Sequence, residues 1–369
     1  MIVLQNMVVL LIVSAIVWAV ISIRRRPLLV DAVRRSFATR RARVSALVLI
    51  VYVVVAMLDS FAWRDAQHDG DGKVLRDNDG GAVLEANPRS LLDRFDAITM
   101  NFGGRDEQTF SSPFAKVEFT QSTATDEAGV KYRYNKSLEY QGKHPLGTDQ
   151  VGKDVLYKAI KGVRTALIIG CLTTLVAIPF ALVFGIMAGY FGKWVDDLIT
   201  YFYTTLASIP WILLVIAFVL AFGRGLTQLC IIMGITSWVG LCRLVRGETM
   251  KLRESDYVMA ARAIGAGSWR IQIKHILPNV MHLVVIRAVL MFSGLVLAEA
   301  VLSYLGVGVR AETFSWGAMV NQGRYELSRD PIIWWNLVAA FVFMFGLVLP
   351  ANVFGDAVRD ALDPRLRDA

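Results

Sequence analysis

The chain has 369 residues, of which 55% are hydrophobic and only 19% charged, with a mean hydropathy of +0.49. Soluble domains run near about 25% charged, so this balance excludes a chain of ordinary soluble domains and requires a membrane. A formal charge of +8 would also suit a nucleic-acid binder, and the location of the basic residues decides what it means.

The first apolar run, residues 2–23, carries no charge and is followed at once by Arg24, Arg25 and Arg26. At ~1.5 Å per residue it spans a hydrocarbon core of ~30 Å. A secretory signal places its positive charge before the apolar stretch, so the reversed order predicts a membrane helix with its N-terminus outside. Residues 24–43 hold eight arginines against one acid, Asp31, as expected of a short cytoplasmic loop. The chain then returns outward through residues 44–61, a run rich in β-branched residues.

Residues 62–163 contain 14 basic and 16 acidic side chains and read as a soluble extracytoplasmic segment. Its D-G-D-G (69–72) and D-N-D-G-G (77–81) clusters invite a calcium loop, but the fifth position is Lys73 in one and Gly81 in the other, so solvated turns are expected. Five further apolar runs follow, at about 164–190, 195–222, 226–242, 282–307 and 333–354. The expected architecture is thus an all-α polytopic membrane protein of about seven spans with a cytoplasmic tail, 357–369. Gly185 and Gly189 lie four apart in one span, a spacing that permits close helix contact but is also common by chance in membrane helices. Pro179 and Pro210, interior to spans, interrupt the backbone ladder and need support from neighbours or a water-filled path.

The connection 243–281 has seven basic residues and three acids, which places it in the cytoplasm under the same charge rule. Its pattern is helical. Ser255 or Asp256 can cap a helix through Ile264, Gly265 can end it in a left-handed turn, Ser268 can start a second helix, and Pro278 stops or kinks that one. Ala260, Ala261 and Ala263 would keep one surface flat, and Trp269, Ile273 and Ile276 would share a face. Residue chemistry alone leaves two readings open: a docking element for another protein, or an amphipathic segment lying on membrane lipids.

Several motifs narrow that choice. M-A-A-R-A-I-G (259–265) followed by H-I-L-P-N-V (275–280) resembles the coupling loop of ABC importer permeases. H-P-L-G-T-D-Q-V-G-K-D-V (144–155), A-E-A-V-L-S-Y-L-G-V-G (298–308), S-W-G (315–317) and D-A-L-D-P-R-L (360–366) resemble the dipeptide/oligopeptide branch, the C-type partner subunit. The resemblance implies the type I importer permease fold in residues 164–356, with an extra N-terminal helix and an enlarged external segment as departures from it. It also implies that Asp256, Tyr257, Met259, Ala260, Ala261, Ile264, Gly265 and Pro278 serve coupling to a cytoplasmic ATPase, with Met259 standing where the family has glutamate. The implied partners are a homologous permease, two ABC ATPase subunits and an extracytoplasmic substrate-binding protein, in a bacterial cytoplasmic membrane.

The chain lacks G-x-x-x-x-G-K-[ST], so it is expected to be non-catalytic, with ATP and magnesium held by the partners. A secondary transporter or channel is the alternative, but it predicts inverted repeats that the sequence does not display. No metal site is expected: His68 and His144 lie in polar sequence, His275 and His282 sit in a basic amphipathic stretch with no matching ligands, and Cys171, Cys230 and Cys242 read as small buried hydrophobes. Glu299, within a span, either lines the translocation path or pairs structurally with an arginine such as Arg310 or with a residue of a sister subunit, and the pairing is preferred. Asp196 and Asp197 read as interfacial.

Overall fold

The computed structural model describes residues 33–64, 76, 89–99, 106–107, 109–126, 130–310 and 312–362. The predicted first span (2–23), most of the arginine-rich loop, the aspartate-glycine clusters and the D-A-L-D-P-R-L end lie largely outside these residues. The described residues divide into two units, one built from 50–164 and 322–343, the other from 33–49, 165–321 and 344–362.

Among the described residues, five helices are long and apolar enough to cross a membrane: Arg40–Ser60 (α1), Val155–Phe191 (α3), Leu226–Arg253, Ser268–Tyr304 and Trp335–Leu362 (α12). A further pair of helices is long and apolar enough only when taken together. Lys193–Ser208 (α4) and Trp211–Phe222 (α5) meet at a bend of 86°, located where Pro210 can neither donate a backbone hydrogen bond nor fit behind another helical turn. Pro179, by contrast, is absorbed inside α3. The Leu226–Arg253 span changes direction more gently, as Leu226–Ser237 (α6) followed by Val239–Arg253 (α7).

Helices overrun the apolar runs that announced them. The first of them, α1, starts at Arg40, inside the basic loop, and α3 starts at Val155, nine residues before the run at 164. At 37 residues α3 is ~55 Å long and exceeds a ~30 Å core, so composition marks only the part of such a helix that lipid would cover. For the same reason the 243–281 connection is not a free loop: it consists of the end of α7, a short helix Asp256–Ala263 (α8), a turn, and the start of the next span.

That next span does not stop at Pro278. Ser268–Ile271 (α9) passes through a π-helical stretch, Gln272–Ile276, into Leu277–Tyr304 (α10), with the proline in its first turn. The wider π turn relaxes the ladder just where the proline ring crowds the preceding turn. It also shifts the helical phase by about one residue, which corrects the expected shared face. Ile276 is fully buried with Ile271, whereas Trp269 and Ile273 are 66% and 46% exposed.

In the first unit, Ala62–Trp63 (β1) pairs antiparallel with Arg89–Ser90 (β2) beside the helix Leu91–Thr99 (α2). Val117–Thr125 (β3) and Lys131–Ser137 (β4) form an antiparallel hairpin. The H-P-L-G-T-D-Q-V-G-K-D-V segment then folds into a buried knot ahead of α3. There Asp149 accepts from the N–H groups of Val151 and Lys153 and from Lys158 Nζ, and Asp154 caps α3 through the Tyr157 N–H. Gly147 and Gly152 have φ of +69° and +76°, and a Cβ on either would run into the backbone of Ser111 or Glu107.

In the second unit, one apolar cluster joins Ala181, Ala188, Leu241, Val245, Val258, Ala261, Ile271, Ile276 and Val280. Another joins Ile169, Val215, Leu229, Met233, Leu295 and Leu302. Glycines allow the closest approaches. A Cβ at Gly185 would lie 2.8 Å from Val245 Cβ, and one at Gly189 would lie 2.6 Å from Thr249 Cβ and 2.7 Å from the Arg246 carbonyl. The G-x-x-x-G spacing therefore marks a true α3–α7 crossing. Cys230 and Cys242 are buried as expected, but Cys171 is exposed on its helix, because an apolar span has a lipid- or partner-facing side as well as a buried one.

Candidate functional site

The short helix α8 is defined at both ends. Ser255, extended at φ −74° and ψ 147°, leads into it, and its carbonyl accepts from the N–H groups of Val258 and Met259; its hydroxyl bonds back to the Leu252 carbonyl instead of capping. At the other end Gly265 takes φ +85°. The Ala266 N–H reaches the Ala261 carbonyl and the Gly265 N–H reaches the Arg262 carbonyl, the paired bonds of a Schellman termination.

The helix has an inner and an outer face. Val258 (0% exposed) and Ala261 (7%) lie inward, three residues apart. Asp256, Tyr257, Met259, Ala260, Ala263, Ile264 and Gly265 are exposed or half-exposed, with Ile264 at 86%. This corrects the expectation that Ala261 belongs to a flat outward surface: the alanine that packs is Ala261, and the outward patch owes its apolar character to Tyr257, Met259 and Ile264. Such exposure of large apolar side chains on so short an element is a sign of a partner.

Side-chain contacts tie α8 to the ends of neighbouring helices. Asn279 Nδ2 donates to the Tyr257 hydroxyl at 3.1 Å and to the His275 carbonyl at 2.6 Å. Pro278 is exposed next to it, in the first turn of α10. The Arg262 guanidinium lies 5.4 Å from the Tyr190 ring centroid near the end of α3. Just before α8, Arg253 at the end of α7 donates to the Gly189 carbonyl of α3 at 3.3 Å.

Two charged sites differ from what the sequence suggests. Asp196 is not merely interfacial; it is 9% exposed and takes a bidentate grip from Arg246, 2.5 Å from Nε and 2.7 Å from Nη2. The two residues lie 50 positions apart, on α4 and α7, so no local pattern discloses the pair. Glu299 is 4% exposed and does not pair with Arg310, whose Nε donates to the Arg224 carbonyl. Its Oε1 accepts instead from the Ser303 and Ser315 hydroxyls at 2.6 and 2.7 Å.

These contacts give the quoted motifs a physical content. Ser315 of S-W-G also accepts from the Gly317 N–H and so starts the helix Trp316–Glu326 (α11). Gly308 and Gly317 both pack against Ser303, where a Cβ would sit within 2.7 Å of its atoms. The Ala298–Gly308 and Ser315–Gly317 motifs thus form one knot around a buried carboxylate. His144, unremarkable in its polar stretch of sequence, is 1% exposed, with Nδ1 2.8 Å from Asp154 and Nε2 3.6 Å from Glu107.

A polytopic helical membrane protein with a sharply bent apolar helix pair and a short, capped, outward-facing helix between two spans is the class defined by these features. The chain matches the family described as binding-protein-dependent transport system inner membrane component over residues 181–368, and it belongs to that family. The dipeptide transport system permease protein DppC of Bacillus subtilis is 33% identical over 232 residues, 63% of this chain and 72% of that protein. The oligopeptide permease OppC of Haemophilus influenzae is 36% identical over 62% of this chain and 72% of its own length. The glutathione permease GsiD of Pectobacterium atrosepticum is 34% identical over 61% and 73%. Among solved structures, an inward-facing MetNI methionine ABC transporter is 19% identical with a TM-score of 0.46, over 56% of this chain and 97% of that one. The chain is accordingly a multi-pass permease component of the inner membrane and not the ATP-hydrolysing part of its system.

Proposed function

We propose that this chain is one permease half of an ATP-driven importer of short peptides, and that α8 couples it to an ATPase subunit. The substrate class is supported by relatives named for dipeptides, oligopeptides and glutathione, all short peptides. The assembly is completed by a homologous permease, two ATPases that bind ATP and magnesium, and an extracytoplasmic binding protein. In this reading the arginine-rich loop and residues 243–281 face the cytoplasm, the N-terminus lies outside, and the C-terminal tail lies inside. The segment 62–163 then faces the binding protein.

The observation that carries the coupling role is the outward face of α8: Tyr257, Met259 and Ile264 exposed on a helix whose inner face is locked into the membrane-helix core. A partner cleft that grips this face and closes on ATP moves α8 as a rigid body. Through Tyr257–Asn279 and Arg262–Tyr190 that motion reaches α10 and α3, opening the path to one side of the membrane at a time. Met259 contributes adaptable apolar contact where the family has glutamate.

Ile264→Asp tests this in the assembled complex. A charge at the centre of a docked apolar patch should reduce ATP-driven uptake by about tenfold or more, with less ATPase co-purifying and membrane insertion unchanged. Normal uptake and normal ATPase recovery would refute the coupling role.

A further inference from the structure

At the bend between α4 and α5, and beside the change of direction between α6 and α7, lies a cavity of about 370 Å³ lined by Ile209, Pro210, Trp211, Thr236, Ser237 and Gly240 among others. Non-helical backbone at membrane depth persists only where protein buries it or where it lines a watery cavity. We propose that this cavity receives the C-terminal carboxylate of a peptide in transit, and that Arg287 meets its charge. The inference rests on the peptide-importer reading above.

Three independent features favour an anion. The helix α5 begins at the cavity wall with no side chain capping it, so its first-turn N–H groups lack intrahelical partners and present the positive end of the helix dipole. Ser237 Oγ is buried and finds no hydrogen-bond partner among the described residues. Its neighbour Thr236 is already committed, accepting from Trp211 Nε1 at 3.0 Å and bonding back to the Ile232 and Met233 carbonyls.

The third feature is Arg287. Its Nη2 lies 3.5 Å from where a Cβ on Gly240 would be, so the guanidinium covers a glycine that itself lines the cavity. The arginines that follow Gly240 on α7 are engaged: Arg246 with Asp196, and Arg243 over the Tyr203 ring at 5.2 Å. Arg287 is exposed and forms no ion pair among the described residues. An arginine within an apolar span is costly and is kept where a counter-charge arrives, and its planar fork matches a carboxylate in two parallel hydrogen bonds.

The test uses the complete transporter in proteoliposomes, with ATP-driven uptake of trialanine and of trialanine amide measured as maximal rates for wild type, Arg287→Gln, Arg287→Lys and Ser237→Ala. Arg287→Gln should slow trialanine by about tenfold and the amide by less than about twofold, Arg287→Lys, which keeps the charge but not the paired hydrogen bonds, should fall between Arg287→Gln and wild type, and Ser237→Ala should slow trialanine by about two- to threefold. Equal slowing of both peptides, or no slowing, would overturn the proposal. Loss of the partner permease from purified Arg287→Gln complex would overturn it too and assign Arg287 to a subunit contact. Absence of ATP-driven uptake of either peptide by wild type would instead sink the peptide reading, and this inference with it.

Discussion

Individual residues here act mostly through what they permit neighbours to do. Gly189 carries no chemistry, yet a Cβ there would sit 2.6 Å from Thr249 Cβ and 2.7 Å from a backbone oxygen that cannot swing away. In lipid, where helix association relies on close packing more than on the hydrophobic effect, that contact is a direct part of the bundle's stability. Gly189→Leu should therefore cost about 1–3 kcal/mol and lower the thermal unfolding temperature of the detergent-solubilised protein by several degrees. Gly247→Leu is the control, since a Cβ there meets nothing within 4 Å, and it should leave that temperature nearly unchanged. The glycine spacing was legible in the sequence, but its partner was not. Asp196 and Arg246, like Glu299 with Ser303 and Ser315, show the same limit: a single sequence displays the donor and acceptor types but not which distant ones the fold brings together.

At the scale of elements, local chemistry was legible where it was self-contained. The end of α8 at Gly265 was expected from the sequence because only the identity of one residue and the residues just before it were needed. The face it presents depended on something nonlocal, the core formed by Val258, Ala261, Val245 and Ile276, and there the flat-alanine expectation gave way to an inward Ala261. The π turn at Gln272–Ile276 likewise rotated Trp269 and Ile273 away from Ile276, a phase shift that residue spacing assumes away. The termination itself makes a prediction. Gly265 has open space around it but a φ of +85°, so Gly265→Ala meets no clash and is penalised only by the left-handed backbone, by about 1–2 kcal/mol. Limited proteolysis should cut residues 264–267 faster in that variant and transport should fall partially, whereas Gly265→Asn, which tolerates the conformation better, should lie between it and wild type.

Stability of the whole molecule should depend on pH through two carboxylates outside the spans, with opposite signs. Asp93 is subject first to burial, which raises its pKa, but hydrogen bonds and charge from Lys161, together with the Ser90 N–H, outweigh that and hold it below the ordinary aspartate value. Lys161 Nζ lies 2.6 Å from Asp93 and 2.5 Å from Asp59, while Arg164 also contacts Asp59, so two cations and two anions knit α1, α2 and the start of α3. A lowered folded value means stability present above the ordinary range and lost as pH falls through the folded value, below about pH 4. Glu326, at the end of α11, is 2% exposed, and burial raises its pKa despite a hydrogen bond from Asn336 at 3.3 Å. Its contribution is present below the ordinary value of 4.5 and is lost as pH rises through the higher folded one. Neutral pH is thus where Asp93 helps and Glu326 hurts. The Glu326 Oε2 and Asn336 Oδ1 atoms are both buried acceptors without a donor among the described residues, a shortage that an amide group can relieve. Glu326→Gln should raise the unfolding temperature at pH 7 and flatten the decline with rising pH. Asp93→Asn should lower it at pH 7 and flatten the acid-side loss. Melting curves of both variants across about pH 3.5–8 separate the two signs, and a Glu326→Gln profile parallel to wild type would show that the buried carboxyl is not responsible for the decline.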